Sequence, residues 1–102
     1  KLDRELILFG LGESNAAQGR LEEAEAFLTR AYEAAEDRHS AGVLDMISAL
    51  RSLGRVQFAA KRFGRASATV RRLTELGDSY GKGNVFHRSA HESAGEIKRA
   101  ML

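Results

Sequence analysis

Residues 11–31 read LGESNAAQGRLEEAEAFLTRA, and this stretch decides the fold because it describes two helices joined by a short turn. Apolar residues on both sides of Gly19 recur at the spacing of one face of an α-helix. Gly19 interrupts the pattern, and glycine readily adopts the left-handed backbone that ends many helices. Glu22 and Glu23 then lie at the start of the second segment, where the helix dipole favours acidic side chains. The stretch therefore predicts an antiparallel helix pair.

The pattern of this stretch returns at a constant offset of 42 residues. The first copy consists of Leu11-Gly12, Asn15, Gly19, Leu21, Ala24, Leu28 and Ala31. The second copy consists of Leu53-Gly54, Gln57, Lys61, Phe63, Ala66, Val70 and Leu73. A weaker third copy begins at Ala94-Gly95 and lacks a second helix. Helix pairs repeated at a fixed period indicate a stack in which each pair buries its apolar face against the next.

These positions resemble the tetratricopeptide repeat, whose signature has Leu-Gly on its first helix (helix A), a glycine at the turn and an alanine early on its second helix (helix B). Residues 18–26, QGRLEEAEA, are especially similar to the turn between the two helices. The resemblance covers nearly the whole chain, and the spacing of 42 residues is similar to that of kinesin-light-chain-type and related bacterial arrays. The chain departs from the pattern at Lys61, which replaces the turn glycine, and in having no proline. The resemblance implies an all-α fold, a right-handed α-solenoid of antiparallel helix pairs.

The periodicity predicts five helices, and their expected bounds are about 2–18, 21–36, 41–60, 62–76 and 84–102. Ser40 is the predicted N-cap of the third helix and Asn84 that of the fifth. We expect one domain over residues 1–102 with about two and a half repeats, at about 5–38, 41–80 and 84–102. Because residue 1 is lysine rather than methionine, we expect the chain to be part of a longer protein.

Composition narrows the class of protein. A hydrophobic share of 43% and a charged share of 29% are ordinary for a folded globular chain. The absence of cysteine excludes disulfides and thiolate metal sites. No apolar run approaches the roughly 20 residues that cross a bilayer. We therefore predict a cytoplasmic protein that does not bind membranes.

Eight of the repeated positions are predicted to be structural, because they combine small and large apolar residues where two helices cross. The small residues are Gly12, Ala24, Gly54 and Ala66, and the large ones are Leu11, Leu28, Leu53 and Val70. Small residues let two backbones approach, and aliphatic side chains fill the space beside them. A generic helix bundle with coincidental spacing is the alternative, and the eight pairs of aligned residues argue against it.

If helix A of each repeat lines the inner face of the stack, as the resemblance implies, that face carries the candidate binding residues. These are Phe9, Glu13, Arg51, Arg55, Phe58 and Arg99, with Glu92 and Glu96 beside them. Arg51 and Arg55 are predicted to engage a carboxylate or acidic segment of a partner protein or peptide, and Phe9 and Phe58 to offer apolar contact. A core role for both phenylalanines is equally compatible with the pattern. The carboxylate clamp of chaperone-binding members is not matched, because Phe9 and Glu13 stand where that clamp has Lys and Asn.

The charge is distributed unevenly along the chain. Residues 1–45 hold ten acids and five bases, and residues 46–74 hold seven bases and no acid. The basic block is compatible with solvated positions balanced by the acidic first repeat, with an acidic partner, or with nucleic acid as the minority alternative. Besides a peptide-binding scaffold and a nucleic-acid-binding module, a third hypothesis for the function of the chain is an oligomerising sensor segment of a larger regulator. Residues 6–9, LILF, are apolar on all sides of the first helix, which predicts flanking repeats or self-association through the terminal helices.

No catalytic or cofactor motif emerges from the sequence. His87 and His91 have the i, i+4 spacing of two metal ligands, but no third ligand is evident nearby, so no metal site is predicted. Gly10-Leu11-Gly12 lies inside a predicted helix rather than after a strand, so it is not a dinucleotide-binding loop. No serine has a motif-defined base. The sequence therefore predicts an interaction scaffold without enzymatic activity or cofactor.

Overall fold

In the computed structural model, which describes residues 4–102, the chain forms five α-helices and one short 3₁₀ helix. The α-helices are α1 (Arg4–Ala17), α2 (Leu21–Glu36), α3 (Val43–Ala59), α4 (Phe63–Asp78) and α5 (Val85–Met101), and the 3₁₀ helix spans His39–Gly42. No strand occurs among the described residues. The all-α fold with five helices is therefore confirmed. None of the helices between residues 4 and 102 has both the length and the apolar character needed to cross a membrane.

The helices stack as successive hairpins in two layers. α1 pairs with α2, α3 pairs with α4, and α5 packs against both α3 and α4. We call α1, α3 and α5 the A layer, and α2 and α4 the B layer. The Cα atoms span 42 × 37 × 16 Å, and the short dimension fits two layers of helices, each about 10 Å in diameter.

The two layers are packed unequally. In the A layer, α1 contacts α3 and α3 contacts α5, whereas within residues 4–102 α2 and α4 make no direct backbone contact. The B helices are bridged instead by ion pairs between long side chains, namely Arg62 to Glu22 (3.7 Å), Arg65 to Glu25 (3.1 Å) and Arg72 to Glu36 (4.0 Å). Within residues 4–102 the A helices are therefore spaced more closely than the B helices.

The turns inside the two hairpins share one backbone conformation although their sequences differ. Gly19 has a φ of 78°, and Lys61 at the matching position has a φ of 62°. In each turn the next N–H donates to the carbonyl five residues earlier, Arg20 to Asn15 (2.9 Å) and Arg62 to Gln57 (2.8 Å). A left-handed backbone costs a residue with a Cβ roughly 1 kcal/mol, so Lys61 carries strain that Gly19 avoids. The packing of the repeat, rather than the residue type, sets the second turn.

The core lies between the layers and contains most of the predicted structural positions. Ala24, Leu28 and Ala66 are 0% exposed, and Leu53 and Val70 are also buried. The side chains of α3 contribute the most, since this helix is covered by α2, α4 and α5. Burying one such aliphatic side chain is worth roughly 1.5–3 kcal/mol, so the middle of the stack supplies much of the stability.

Gly12 and Gly54 both allow close helix approach, but to different neighbours. A Cβ on Gly12 would lie 2.6 Å from Cγ of Leu28, on the paired helix α2. A Cβ on Gly54 would lie 2.5 Å from Cδ1 of Ile97 on α5 and 3.4 Å from Cγ2 of Thr69 on the paired helix α4. The second glycine thus serves the contact between successive hairpins as well as its own.

The position of Leu11 differs from the prediction. Leu11 was expected to fill the space beside the helix crossing, yet it is 42% exposed, whereas the matching Leu53 is 6% exposed. The reason is the position of the two helices, because α3 is enclosed on several sides while α1 has α2 as its main neighbour.

The two predicted helix caps had different outcomes. Ser40 does not cap α3, because it lies within the 3₁₀ helix and Gly42 is the N-cap, with no side-chain hydrogen bond. Asn84 caps α5 as predicted, and its side-chain oxygen accepts the N–H of Phe86 at 2.8 Å. A 3₁₀ turn between α2 and α3 is not encoded by a simple capping pattern.

Candidate partner-binding surface

A shallow groove opens on the A layer between α1 and α3. Its walls come from both helices and its floor from α2, and its lining consists of Glu5, Leu6, Phe9, Ala31, Asp45, Ser48 and Ala49. The lining combines apolar side chains with two carboxylates and one hydroxyl. Such a concave, partly apolar surface can hold an apolar side chain of another polypeptide.

Arg38 bridges the two carboxylates that line this groove. Its guanidinium pairs with Glu5 of α1, donates to Asp45 of α3 at 2.9 Å, and donates to the carbonyl of Ala41 at 3.1 Å. One side chain from the segment between α2 and α3 therefore fixes α1 relative to α3. Sequence reasoning missed Arg38, because nothing in its local pattern shows that two carboxylates converge on it.

The predicted residues of α1 lie on or near this groove. Phe9 lines it, is half-buried and packs against the core, so it takes part in both the core and the surface. Glu13 lies one helical turn further along and is exposed. Leu6 and Ile7, in the stretch predicted to need a cover, are 69% and 45% exposed within the described chain.

Arg51 and Arg55 lie one turn apart on α3, and both reach Glu96 of α5. Arg55 forms a hydrogen-bonded ion pair with Glu96, whereas the Nη1 of Arg51 is 3.8 Å from its carboxylate. The Nε of Arg51 is buried and has no hydrogen-bond partner among residues 4–102. The two arginines thus lie close together, and a carboxylate of the chain itself already occupies the space between them.

Phe58 and Arg99 lie away from the groove. The Phe58 ring packs against Phe63 at the start of α4, with ring centroids 5.6 Å apart and tilted by 59°. Phe58 is half-buried and therefore helps to hold the hairpin turn, while Phe63 is 50% exposed. Arg99 is exposed near the end of α5, one turn beyond Glu96.

The basic block of residues 46–74 is largely paired within the fold. Five of its seven bases contact carboxylates, and they are Arg51, Arg55, Arg62, Arg65 and Arg72. The guanidinium of Arg72 also lies over the ring of Tyr32, 5.7 Å from its centroid. Lys61 and Arg71 are exposed, and neither forms an ion pair with another residue between 4 and 102. The block therefore offers little uncompensated positive charge.

Glu25 is the centre of a polar network between the two hairpins. Its carboxylate, only 12% exposed, accepts hydrogen bonds from Gln57 (3.0 Å), Arg62 (2.8 Å) and Arg65 (3.1 Å). The buried Oε1 of Gln57 in turn accepts the hydroxyl of Thr69 at 2.6 Å. Burial alone raises the pKa of Glu25, but the bond from Gln57 and the two arginines outweigh it, so the pKa lies below its ordinary value.

Substituting Glu25 with glutamine is expected to lower the free energy of unfolding by about 2 kcal/mol at pH 7, because charge-assisted hydrogen bonds are lost. A lowered folded-state pKa means that the carboxylate stabilises the fold fully above roughly pH 5.5 and loses this effect as the pH falls through that pKa. The difference between wild type and Glu25→Gln should therefore shrink from pH 7 to pH 3, as measured by urea unfolding. Glu23→Gln, at an exposed site on the same helix, is the control and should change stability little. An equal difference at both pH values would contradict the network.

The structure also gathers three potential metal ligands where α4 ends and α5 begins. His87 and His91 of α5 lie beside Asp78, the last residue of α4. Sequence reasoning noted the two histidines but missed Asp78, which is nine residues before His87 in the chain and separated from it by a glycine-containing loop.

Comparison with known proteins identifies one match. A family model described as "Tetratricopeptide repeat" matches residues 3–79, which include α1 to α4. No curated protein and no solved structure matches the chain significantly.

Proposed function

Because the chain belongs to the tetratricopeptide repeat family, we propose that it is an interaction scaffold that holds a segment of a partner polypeptide on its A layer. Repeats of this family generally mediate protein–protein interaction, and the family is typically non-catalytic. Stacked helix pairs bind partners on the extended surface of their inner side. The observation that supports the proposal is the unequal spacing of the layers, because the more closely spaced helices α1, α3 and α5 are expected on the inner side of a curved stack.

The chemistry of the surface suggests the class of segment. The groove beside Ser48 and Ala49 is suited to an apolar side chain. Arg55 lies seven residues further along α3 than Ser48, on nearly the same face of the helix and about 10 Å away at the helical rise. About three residues of extended chain cover that distance. We propose a ligand in which an apolar side chain and an acidic side chain are separated by about two residues.

Glu96 is an internal competitor in this proposal. An acidic side chain of the partner has to displace its carboxylate from Arg55 and would share Arg51, whose pairing is loose at 3.8 Å. Exposed ion pairs contribute little to stability, so this exchange is energetically accessible.

Removing the competing charge of Glu96 is expected to strengthen binding of a peptide that carries an acidic and an apolar side chain, and reversing the charge of the two arginines is expected to weaken it. Glu96→Gln should increase the affinity about threefold to tenfold, and Arg51→Glu/Arg55→Glu should reduce it at least about tenfold. Fluorescence anisotropy with a library of short labelled peptides measures both. The matched control is Lys61→Glu/Arg71→Glu, which changes the net charge equally at exposed positions outside the surface.

Equal loss of affinity in both double variants would contradict a local site, because general charge attraction would then explain the binding. A labelled oligonucleotide tests the alternative that the basic block binds nucleic acid. That alternative is disfavoured by the pairing of five of its seven bases. Oligonucleotide binding that weakens steeply with salt would support it.

A further inference from the structure

Three side chains with metal-binding atoms converge where α4 ends and α5 begins. One ligand atom from each of Asp78, His87 and His91 can be chosen so that all three lie within 4.8 Å of one another. The Oδ1 of Asp78 is 2.7 Å from the Nε2 of His91, and the two imidazole rings are 4.4 Å apart. The three groups thus share one small region of the surface.

The hydrogen bonding of His87 prepares it for coordination. Its Nδ1 lies 3.0 Å from the carbonyl oxygen of Gly77. Because a carbonyl only accepts, the neutral ring carries its proton on Nδ1 and has its lone pair on Nε2. Metal-bound histidines usually donate their other ring N–H to a carbonyl or carboxylate, which fixes the ring and its tautomer. Such a partner is already present here.

The backbone around Asp78 makes room for the cluster. A Cβ on Gly77 would lie 2.8 Å from Cδ2 of His91 and 3.0 Å from the Cβ of Ala90. Glycine at this position therefore allows the His91 ring to lie against the end of α4.

We propose that Asp78, His87 and His91 bind one divalent transition-metal ion, with Zn²⁺ as the best match to two imidazoles and one carboxylate. In a tetrahedral zinc site with bonds of about 2.0–2.1 Å, neighbouring ligand atoms are about 3.3 Å apart. Side-chain rotation that brings His87 up to about 1.5 Å closer to the other two ligands, and moves Asp78 Oδ1 and His91 Nε2 about 0.6 Å apart, therefore closes the site. Asp78 is 65% and His91 38% exposed, so the ion enters from solvent and water takes the fourth position.

The ion links two helices that are connected along the chain by a short loop. Between α4 and α5 the loop contains Gly81 and Gly83, and Gly83 has a φ of 91°. Coordination by Asp78 from α4 and two histidines from α5 holds the start of α5 against the second hairpin. The bound ion thus stabilises the docking of α5, the helix that carries Glu96.

The test is a titration of the tag-free, chelator-treated chain with ZnCl₂, followed by calorimetry and thermal unfolding. We expect one ion per chain with a Kd on the order of 10 µM, which fits an open three-ligand site. At zinc concentrations tenfold above that Kd, the Tm should rise by about 5 °C. Replacing zinc with Co²⁺ should give the visible absorption bands of a tetrahedral site.

Asp78→Asn, His87→Gln and His91→Gln should each weaken zinc binding at least about tenfold. Asp78→Asn is the most informative variant, because its side chain is exposed and nearly isosteric, so its fold should remain intact by circular dichroism. The matched control is His39→Gln/Asp37→Asn, which removes a histidine and an aspartate outside the cluster and should bind zinc normally. No saturable binding below 200 µM zinc, or equal affinity in Asp78→Asn, would overturn the site.

Discussion

Replacing Ala66 with arginine is expected to lower the free energy of unfolding by at least about 4 kcal/mol, because it buries an unpaired charge and overfills a helix contact. Ala66 is 0% exposed and lies early on α4, where this helix approaches α3. An arginine here would bury its charge in the contact between the two helices. Ala24→Arg, at the matching position of α2, should have a similar effect, since Ala24 is also 0% exposed.

Urea unfolding monitored by circular dichroism measures this loss, and each substitution has a control on the same helix. Ala68 and Ala26 are exposed, so Ala68→Arg and Ala26→Arg add the same side chain without burying it. Both controls should change the free energy of unfolding by less than about 0.5 kcal/mol. If Ala66→Arg and Ala68→Arg were equally stable, the close approach of α3 and α4 at Ala66 would be wrong.

The second large effect is expected at Gly42, the N-cap of α3. A Cβ added there would lie 2.0 Å from the carbonyl oxygen of Ala35 and 2.9 Å from its carbonyl carbon. Both are backbone atoms of α2, so a side-chain rotation cannot relieve the clash. Gly42→Ala should therefore move α3 away from α2 and lower the free energy of unfolding by about 3 kcal/mol.

Gly10→Ala is the control for Gly42→Ala, and its expected sign is the opposite. Gly10 lies inside α1, and a Cβ there meets no atom within 4 Å. Alanine is favoured over glycine in a helix by roughly 0.8–1 kcal/mol, so Gly10→Ala should stabilise the chain. Thermal unfolding of both variants tests the pair. A neutral Gly42→Ala would mean that the contact between the 3₁₀ helix and α2 is looser than the structure shows.

Much of the backbone could be predicted from the sequence, because the repeat specifies it twice. The offset of 42 residues aligns Lys61 with Gly19 in the repeat, and both residues have a left-handed backbone conformation in the structure. Local pattern also predicted the capping role of Asn84, since one asparagine before an apolar periodic segment is sufficient for it. Features repeated in the sequence, or determined within one turn of helix, were thus accessible.

The pairing of side chains across helices could not be predicted in the same way. The sequence placed Glu96 on the face of Arg51 and Arg55, but not within bonding distance of Arg55. Asp78 is another example, because its proximity to His91 depends on how the loop after α4 returns the chain. These contacts depend on the angle and translation between helices, which residue spacing along one helix does not fix.

The network at Glu25 has a consequence for how the hairpins find their alignment. Two helices in an apolar interface can slide past each other by a fraction of a turn with only a modest loss of stability. A carboxylate 12% exposed does not allow this, because its three donors, on Gln57, Arg62 and Arg65, belong to the other hairpin and reach it together in one arrangement. The network therefore fixes the position of one hairpin along the other, where apolar contacts alone would permit several positions.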